Sequence, residues 1–271
     1  MTGRLEMRGD GATGQSAGQA VVRVALAGAT GRTGNAVANG LAAYTGVRLV
    51  ACAAPSVAST PTRSLPPGVA AFADVAAISE PYDVLVDLTT AEAAPANLER
   101  ARANGAHVVL GTTGLSDAEL QGFGEQFAAA GLGLLYIPNF SIGAVLMMRF
   151  AAEAARHLHD VEIIETHHAR KLDAPSGTAR RTAELVAAAG GRAATDGGSA
   201  ARGELVAGIP VHSLRLPGAM AHQEVVLGGP GELLTIRHDA IDRDCYTAGV
   251  ALAVRGVAGY VGLTVGLEHV L

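Results

Sequence analysis

The sequence predicts an α/β domain with a parallel sheet, followed by an α+β domain with a mixed sheet. Three observations predict it. From Val21 to Asn139, short apolar runs rich in β-branched residues alternate with helix-length segments. A glycine-rich turn directly follows the first of these runs. After Asn139 the alternation stops, and the chain later passes into closely spaced strand-like runs joined by turn residues.

The elements follow in order. Val21 to Ala27 reads as a strand ending in Gly28-Ala29-Thr30-Gly31-Arg32-Thr33-Gly34, and Asn35 to Tyr44 as the helix behind it. Val47 to Ala53 is a second strand, and Pro55 to Gly68, with four prolines, is a loop. Strands at Tyr82–Leu88, His107–Leu110 and Leu132–Ile137 alternate with helices at Pro95–Asn104 and Asp117–Ala130. Strands and helices alternating at this spacing imply a sheet with helices on both faces. Ile142 to Leu158 is a helix apolar around most of its surface, expected to lie buried between layers. Val161 to Glu165 is a strand opening onto His167-His168-Ala169-Arg170-Lys171, and Ser176 to Ala189 is a helix. Val211–Leu216, Glu224–Leu227 and Leu233–Arg237 read as antiparallel strands. The last two are joined by a hairpin at Gly228-Gly229-Pro230-Gly231. Cys245 to Val257 returns to helix.

Composition excludes several function classes. With no Trp and 4% aromatics, the chain lacks rings for a base-stacking surface, and a net charge of −5 gives no global field for a polyanion. Nucleic acid is therefore not an expected partner. No 18-residue apolar run free of charge is present, so no membrane span is expected. Cys52 and Cys245 make neither a disulfide framework nor a metal set, and read as reduced thiols of a cytoplasmic protein. Residues 1–20 lack the apolar core of a signal peptide and read as a disordered leader.

Gly28, Gly31 and Gly34 are spaced G-x-x-G-x-x-G. Glycines here allow a tight turn and let the backbone approach a pyrophosphate at the helix start, so the N-terminal unit is expected to be a Rossmann-like dinucleotide-binding domain. NAD-preferring sites place a carboxylate about 20 residues later to hold the ribose hydroxyls. None occurs between Gly34 and Asp74, while Arg32, Ser56 and Arg63 offer donors. NADPH is accordingly expected to serve at least as well as NADH.

The stretch Glu165-Thr166-His167-His168-Ala169-Arg170-Lys171-Leu172-Asp173-Ala174-Pro175-Ser176-Gly177-Thr178 packs four basic side chains into five residues ahead of a helix N-terminus. Ser176 or Thr178 can cap that helix, and its free N–H groups and dipole attract anions. Cationic donors around a helix start suit carboxylates. A zinc site at His167-His168 is not expected, because adjacent histidines point apart and no nearby cysteine completes a set. His157, His159, His212, His238 and His269 read as surface or core residues rather than ligands.

His167-His168-x-x-Lys171-x-Asp173-Ala174-Pro175-Ser176-Gly177-Thr178 resembles the signature of the 4-hydroxy-tetrahydrodipicolinate reductase family. Gly28–Gly34, Asp87-Leu88-Thr89, Gly111-Thr112-Thr113-Gly114, Pro138–Gly143 and His222-Gln223-Glu224 are similar to other family segments, in order. The match runs from about Val21 to the C-terminus and is similar to actinobacterial members. The resemblance implies hydride transfer from NADPH or NADH to a small cyclic dicarboxylate, the conjugated imine left when the 4-hydroxyl departs as water. It implies His167 as the acid–base residue and Lys171 as proton donor. His168, Lys171, Ser176, Gly177 and Thr178 would hold the carboxylates. Gly28, Ala29, Thr30, Gly31, Arg32, Thr33, Gly34, Gly111, Thr112, Thr113, Ile137, Pro138, Asn139 and Phe140 would line the cofactor. It further implies a dinucleotide domain of residues 21–140 and 242–271, and a substrate-binding domain of residues 141–241 that assembles a homotetramer through its sheet.

Three departures stand against the pattern. Arg170 replaces a frequent third histidine, Thr33 replaces a frequent Met or Val, and the acidic residue after the second strand is missing. They leave open a paralogue acting on another unsaturated cyclic imine. A non-catalytic NAD(P)-binding regulatory protein is also open, although retention of both His167 and Lys171 weighs against it.

Overall fold

The structure is a computed structural model and describes residues 21–58, 64–194 and 200–271. The leader at 1–20 and Arg63 lie outside them.

The first half runs β1 (Val22–Ala27), α1 (Arg32–Leu41), β2 (Val47–Ala53), β3 (Ala70–Phe72), β4 (Val84–Asp87), α2 (Ala94–Ala103), β5 (His107–Leu110), α3 (Asp117–Ala129) and β6 (Gly133–Tyr136). The second runs α4 (Ile142–Ala154), β7 (Asp160–His167), α5 (Gly177–Ala188), β8 (Glu204–Val206), β9 (Ile209–Arg215), β10 (Ala221–Gly229) and β11 (Glu232–Ala240). It closes with α6 (Thr247–Gly256) and β12 (Gly262–Val265).

The first sheet has seven parallel strands in the order β12-β6-β5-β4-β1-β2-β3. Its central strands are buried on both faces, which is why they read as continuous apolar runs. Val24, Leu26, Val84, Val86, Val109 and Leu135 pack with α1 and α6 on one face. Ala25, Ala27, Leu85, Val108, Leu110 and Leu134 pack with α2 and α3 on the other. Two strands of this sheet escape the sequence pattern. β3 has only three residues, and β12 opens on Gly262 and is interrupted by Thr264, so neither writes the apolar run that marks β4 and β5. Helix α1 begins at Arg32 rather than Asn35, because Gly31 is extended (φ −65°, ψ 165°) and serves as its cap. Arg32, Thr33 and Gly34 therefore form the first helical turn.

The second sheet has the order β11-β10-β7-β9-β8. Strand β9 pairs parallel to β7, which corrects the antiparallel expectation for Val211–Leu216. The chain leaving β7 passes through α5 and the β8–β9 hairpin before returning, and a helix-length crossover permits parallel pairing. The β10–β11 hairpin closes over Pro230-Gly231, with Gly231 at φ +83° as a turn with proline before it requires. Helices α4 and α5 pack on one face, around Val161, Ile163, Val211, Val225 and Leu227. Helix α4 stops at Ala154 and turns Arg149, Phe150 and Glu153 to solvent, so it is a covering helix rather than one buried all round. Strand β7 continues to His167, which places that side chain on the sheet instead of in the loop.

Candidate active site

The glycine turn is built by close backbone approach. Gly28, at φ +81°, donates its N–H to the Ala53 carbonyl at 2.8 Å. A Cβ on Gly28 would lie 2.3 Å from the Leu88 carbonyl oxygen, and one on Gly34 would lie 2.1 Å from the Gly28 oxygen. Only glycine lets α1 sit this near β1, where the unpaired N–H groups of its first turn face the bend. No side chain caps Gly31. Beside the turn, Thr30 and Ser56 hydroxyls meet at 2.6 Å. These features fit the phosphates of a dinucleotide.

Asp87, fully buried at the end of β4, organises the neighbouring loops. Its carboxylate accepts from Thr89 N (3.0 Å), Thr89 Oγ1 (2.7 Å), Thr112 Oγ1 (2.6 Å) and Asn97 Nδ2 (2.8 Å). The loops after β4 and β5 are thereby held side by side. Gly111 packs under Phe140, where a Cβ would fall 2.4 Å from the ring. Ala29, Ile137 and Phe140 bury their side chains in the core, so they have only backbone to offer a cofactor. Thr113, Arg32 and Pro138 are exposed, and Asn139 is half-buried.

On the other side, His167 ends β7 and its Nδ1 bonds Glu165 Oε2. Glu165 is fully buried, and both of its oxygens are gripped by Arg215 of β9 at 3.0 and 2.9 Å. Ser176 N donates to Glu165 Oε1 at 3.3 Å. Burial drives the Glu165 carboxyl up, but hydrogen bonds from His167, Arg215 and Ser213 together hold it down to about 2. The folded value lies below the ordinary 4.5, so the stabilisation is fully present above pH 4.5 and is lost as pH falls through about 2. It amounts to about 3 kcal/mol. Urea unfolding followed between pH 5 and pH 2.5 is expected to show this loss in the wild type and not in Glu165→Gln. Equal acid sensitivity of the two would refute it.

Lys171 places Nζ 2.8 Å from both oxygens of Asp173, whose carboxyl is held below its usual range chiefly by that bond. Ser176, expected among the carboxylate contacts, is buried, and its hydroxyl accepts from Ala179 N to cap α5. Gly177 has open space where a side chain would stand, and Thr178 Oγ1 accepts from Asn139 Nδ2 at 3.1 Å. His168 has a buried Nδ1 without a hydrogen-bond partner among the described residues. Desolvation first, then the nearby cations Arg32, Arg170 and Arg243, hold its imidazole below the ordinary value. Arg32 of the glycine turn thus lies within electrostatic reach of the basic loop.

A cleft is lined among others by Asn139, His167, Thr178, Gln223, His238 and Tyr246. His238 is a cleft residue, with Nε2 3.1 Å from the Ser141 hydroxyl that caps α4. Gln223 is nine-tenths buried and spends its amide N–H on Thr182 at 2.6 Å, leaving Oε1 without a partner among the described residues. Glu165, Arg215, Gln223 and Asp87 were not among the expected site residues. Asp87 and Gln223 lay in the segments Asp87-Leu88-Thr89 and His222-Gln223-Glu224 with no role assigned, and Glu165-x-His167 puts both side chains on one face of a strand.

The dihydrodipicolinate reductase N-terminal family model matches residues 22–140, and the C-terminal model matches residues 143–271. The 4-hydroxy-tetrahydrodipicolinate reductase of Moorella thermoacetica is 43% identical over 263 residues, covering 93% of this chain and 98% of that protein. That of Cutibacterium acnes is 45% identical over 260 residues, covering 93% and 99%. Dipicolinate-bound dihydrodipicolinate reductase from Paenisporosarcina sp. TG-14 matches with a TM-score of 0.82 and 36% identity, over 93% of this chain and 100% of that one. GenD2 from gentamicin A biosynthesis, in complex with NAD, shares the fold at TM-score 0.58 and 17% identity, over 88% and 86% of the chains. On these matches and this geometry, the chain belongs to the dihydrodipicolinate reductase family.

Proposed function

We propose that this chain reduces 4-hydroxy-tetrahydrodipicolinate to tetrahydrodipicolinate in lysine and diaminopimelate biosynthesis, with loss of the 4-hydroxyl as water. The observation that carries this reading is the shared cleft: Asn139 from the expected cofactor segment lines it together with His167 at the end of β7 and Thr178 in the first turn of α5. A reduced nicotinamide dinucleotide, when bound, supplies the hydride. The glycine turn and the Gly111–Thr113 loop hold the dinucleotide through backbone N–H groups. The Gly177 and Thr178 N–H groups at the start of α5, with Lys171 and His168, take the two carboxylates. His167 and Lys171 supply and accept protons at the ring, where hydride arrival builds negative charge. NADPH-oxidation with freshly prepared aspartate-semialdehyde–pyruvate condensation product tests the reading. Turnover of this product is expected, and its absence beside reduction of another cyclic imine would overturn it.

NADPH is proposed to serve at least as well as NADH. Arg32 stands exposed at the turn, and no carboxylate lies between Gly34 and Asp74 to repel a 2′-phosphate. Comparing kcat/KM for the two coenzymes decides it, and a large NADH preference would reject it.

The proposed domain division places residues 141–241 as an excursion between β6 and α6, with α6 and β12 packed on the first sheet. Assembly as a homotetramer is proposed through the face of the second sheet that α4 and α5 leave uncovered. Leu214 and Leu233 stand exposed there at 40% and 76%, beside Ile164 and Val226 by register. Among the described residues no helix is long and apolar enough to cross a membrane, and the proposed reaction is placed in the cytoplasm.

A further inference from the structure

The inner face of the second sheet is apolar except for one band at the end where β7 terminates in His167. Register places Ser213 of β9, Glu165 of β7, Gln223 of β10 and His238 of β11 in a single row across four strands. The adjoining positions on β7 and β10 are Ile163 and Val225, both fully buried. A fold anchor at this place needs only another apolar side chain, since burying a carboxylate costs desolvation that an ion pair at best offsets. The sequence nonetheless places a carboxylate there, and His167 turns one ring nitrogen onto it.

We propose that Glu165 is a positioning residue for His167, with Arg215 as its fixed counter-charge. The inference rests on the reading of His167 as the acid–base residue. An ionised carboxylate only accepts, so Nδ1 of His167 must carry the proton of that contact. The tautomer is thereby set, and Nε2 is the nitrogen left to exchange a proton in the cleft that His167 lines. Arg215 grips both oxygens of Glu165 and donates to the Asp173 carbonyl at 2.7 Å, which pins the carboxylate plane. Ser176 N, at the cap of α5, meets the same carboxylate, so one group aligns His167 with the helix start proposed to hold the carboxylates. The charged and titratable groups near His167 are Glu165 on its own strand, Arg215 paired with it on β9, His168 and Asp173 from the following loop, and His222, His238 and Tyr246, which line the same cleft. Glu165 is the one carboxylate bonded to the ring among the described residues.

The test compares Glu165→Gln, Glu165→Gln/Arg215→Gln, His167→Ala and His167→Ala/Glu165→Gln for kcat, KM and the pH dependence of kcat. Glu165→Gln keeps the volume and removes the charge. It is expected to lower kcat roughly 100-fold or more, as loss of the carboxylate does in other carboxylate–histidine pairs. KM for the coenzyme is expected to stay within about 2-fold. The shape of the pH profile of kcat is expected to differ between Glu165→Gln and the wild type, whereas loss of a merely structural contact would leave it unchanged. In the His167→Ala background, Glu165→Gln is expected to add no further loss of kcat. The double Gln variant leaves no unpaired buried charge and gives the same reading if the single variant does not fold. Wild-type kcat and pH profile in a folded Glu165 variant, or a full additional loss without His167, would overturn the positioning role while leaving the reaction intact. Undiminished kcat in His167→Ala would instead overturn the acid–base reading and the proposal with it.

Discussion

Lys171→Ala is expected to lower kcat by roughly 10²- to 10⁴-fold, the usual worth of a positioned proton donor. It is also expected to raise KM for the dicarboxylate about tenfold or more, because a charge-assisted contact worth about 1.5–3 kcal/mol disappears with it. The structure indicates that stability will hardly change. Lys171, itself 22% exposed, bonds Asp173, whose side chain is 62% exposed, and ion pairs that water reaches from one side are worth about 0.2–1 kcal/mol. A kinetic collapse with an unchanged melting temperature is therefore the signature to look for. His167→Ala is expected to depress kcat with little change in KM, since its contribution is made in the transition state. Both oxygens of the Asp173 carboxylate accept from Lys171, so an incoming carboxylate must displace or share it. Wild-type kinetics in Lys171→Ala would require another proton source in the cleft.

Gly34→Ala is expected to raise the coenzyme KM at least tenfold and to lower the melting temperature. The added Cβ would sit 2.1 Å from the Gly28 oxygen and 2.8 Å from its carbonyl carbon, and both are backbone atoms that no rotamer change can move. Helix α1 must therefore back away from the bend, carrying its first-turn N–H groups off the phosphate position. Overpacking of this kind costs about 1–3 kcal/mol in stability as well. Gly31→Ala is the control. Its Cβ would lie 3.1 Å from the same oxygen, and Gly31 has φ −65°, a conformation open to any residue. The glycine-turn account requires the Gly34 variant to suffer far more than the Gly31 variant in coenzyme titration. Equal behaviour would mean that the helix tolerates retreat and that its close approach does not matter.

The sequence carried the parallel sheet well where burial on both faces wrote an unbroken apolar run, as in Val84–Asp87 and His107–Leu110. It hid Gly262–Val265, because a run that opens on glycine and is broken by Thr264 writes no apolar stretch, and its strand identity comes from pairing with Gly133–Tyr136 across half the chain. The parallel pairing of β9 with β7 was hidden for a similar reason. Direction is a property of the crossover rather than of the strand residues. In the site, the consecutive residues His167 to Thr178 and Gly28 to Gly34 were legible because their chemistry is local. The meeting of Arg215 and Gln223 with Glu165 was not, since only strand register brings them together from 50 and 58 positions away. Asn139 was expected on the cofactor side alone, yet its amide also reaches Thr178.

The return of α6 and β12 to the first sheet has a consequence for synthesis. Val250, Ala251, Ala253, Val254, Val257 and Leu267 complete the apolar layer begun by Val24, Leu26 and Val84. A chain emerging from the ribosome must carry that layer only partly covered, by α1, while more than a hundred intervening residues are made. The earliest-translated strands are thus the last to be sealed, so a truncation before Thr247 should yield a sticky, chaperone-dependent product instead of an independent nucleotide-binding module.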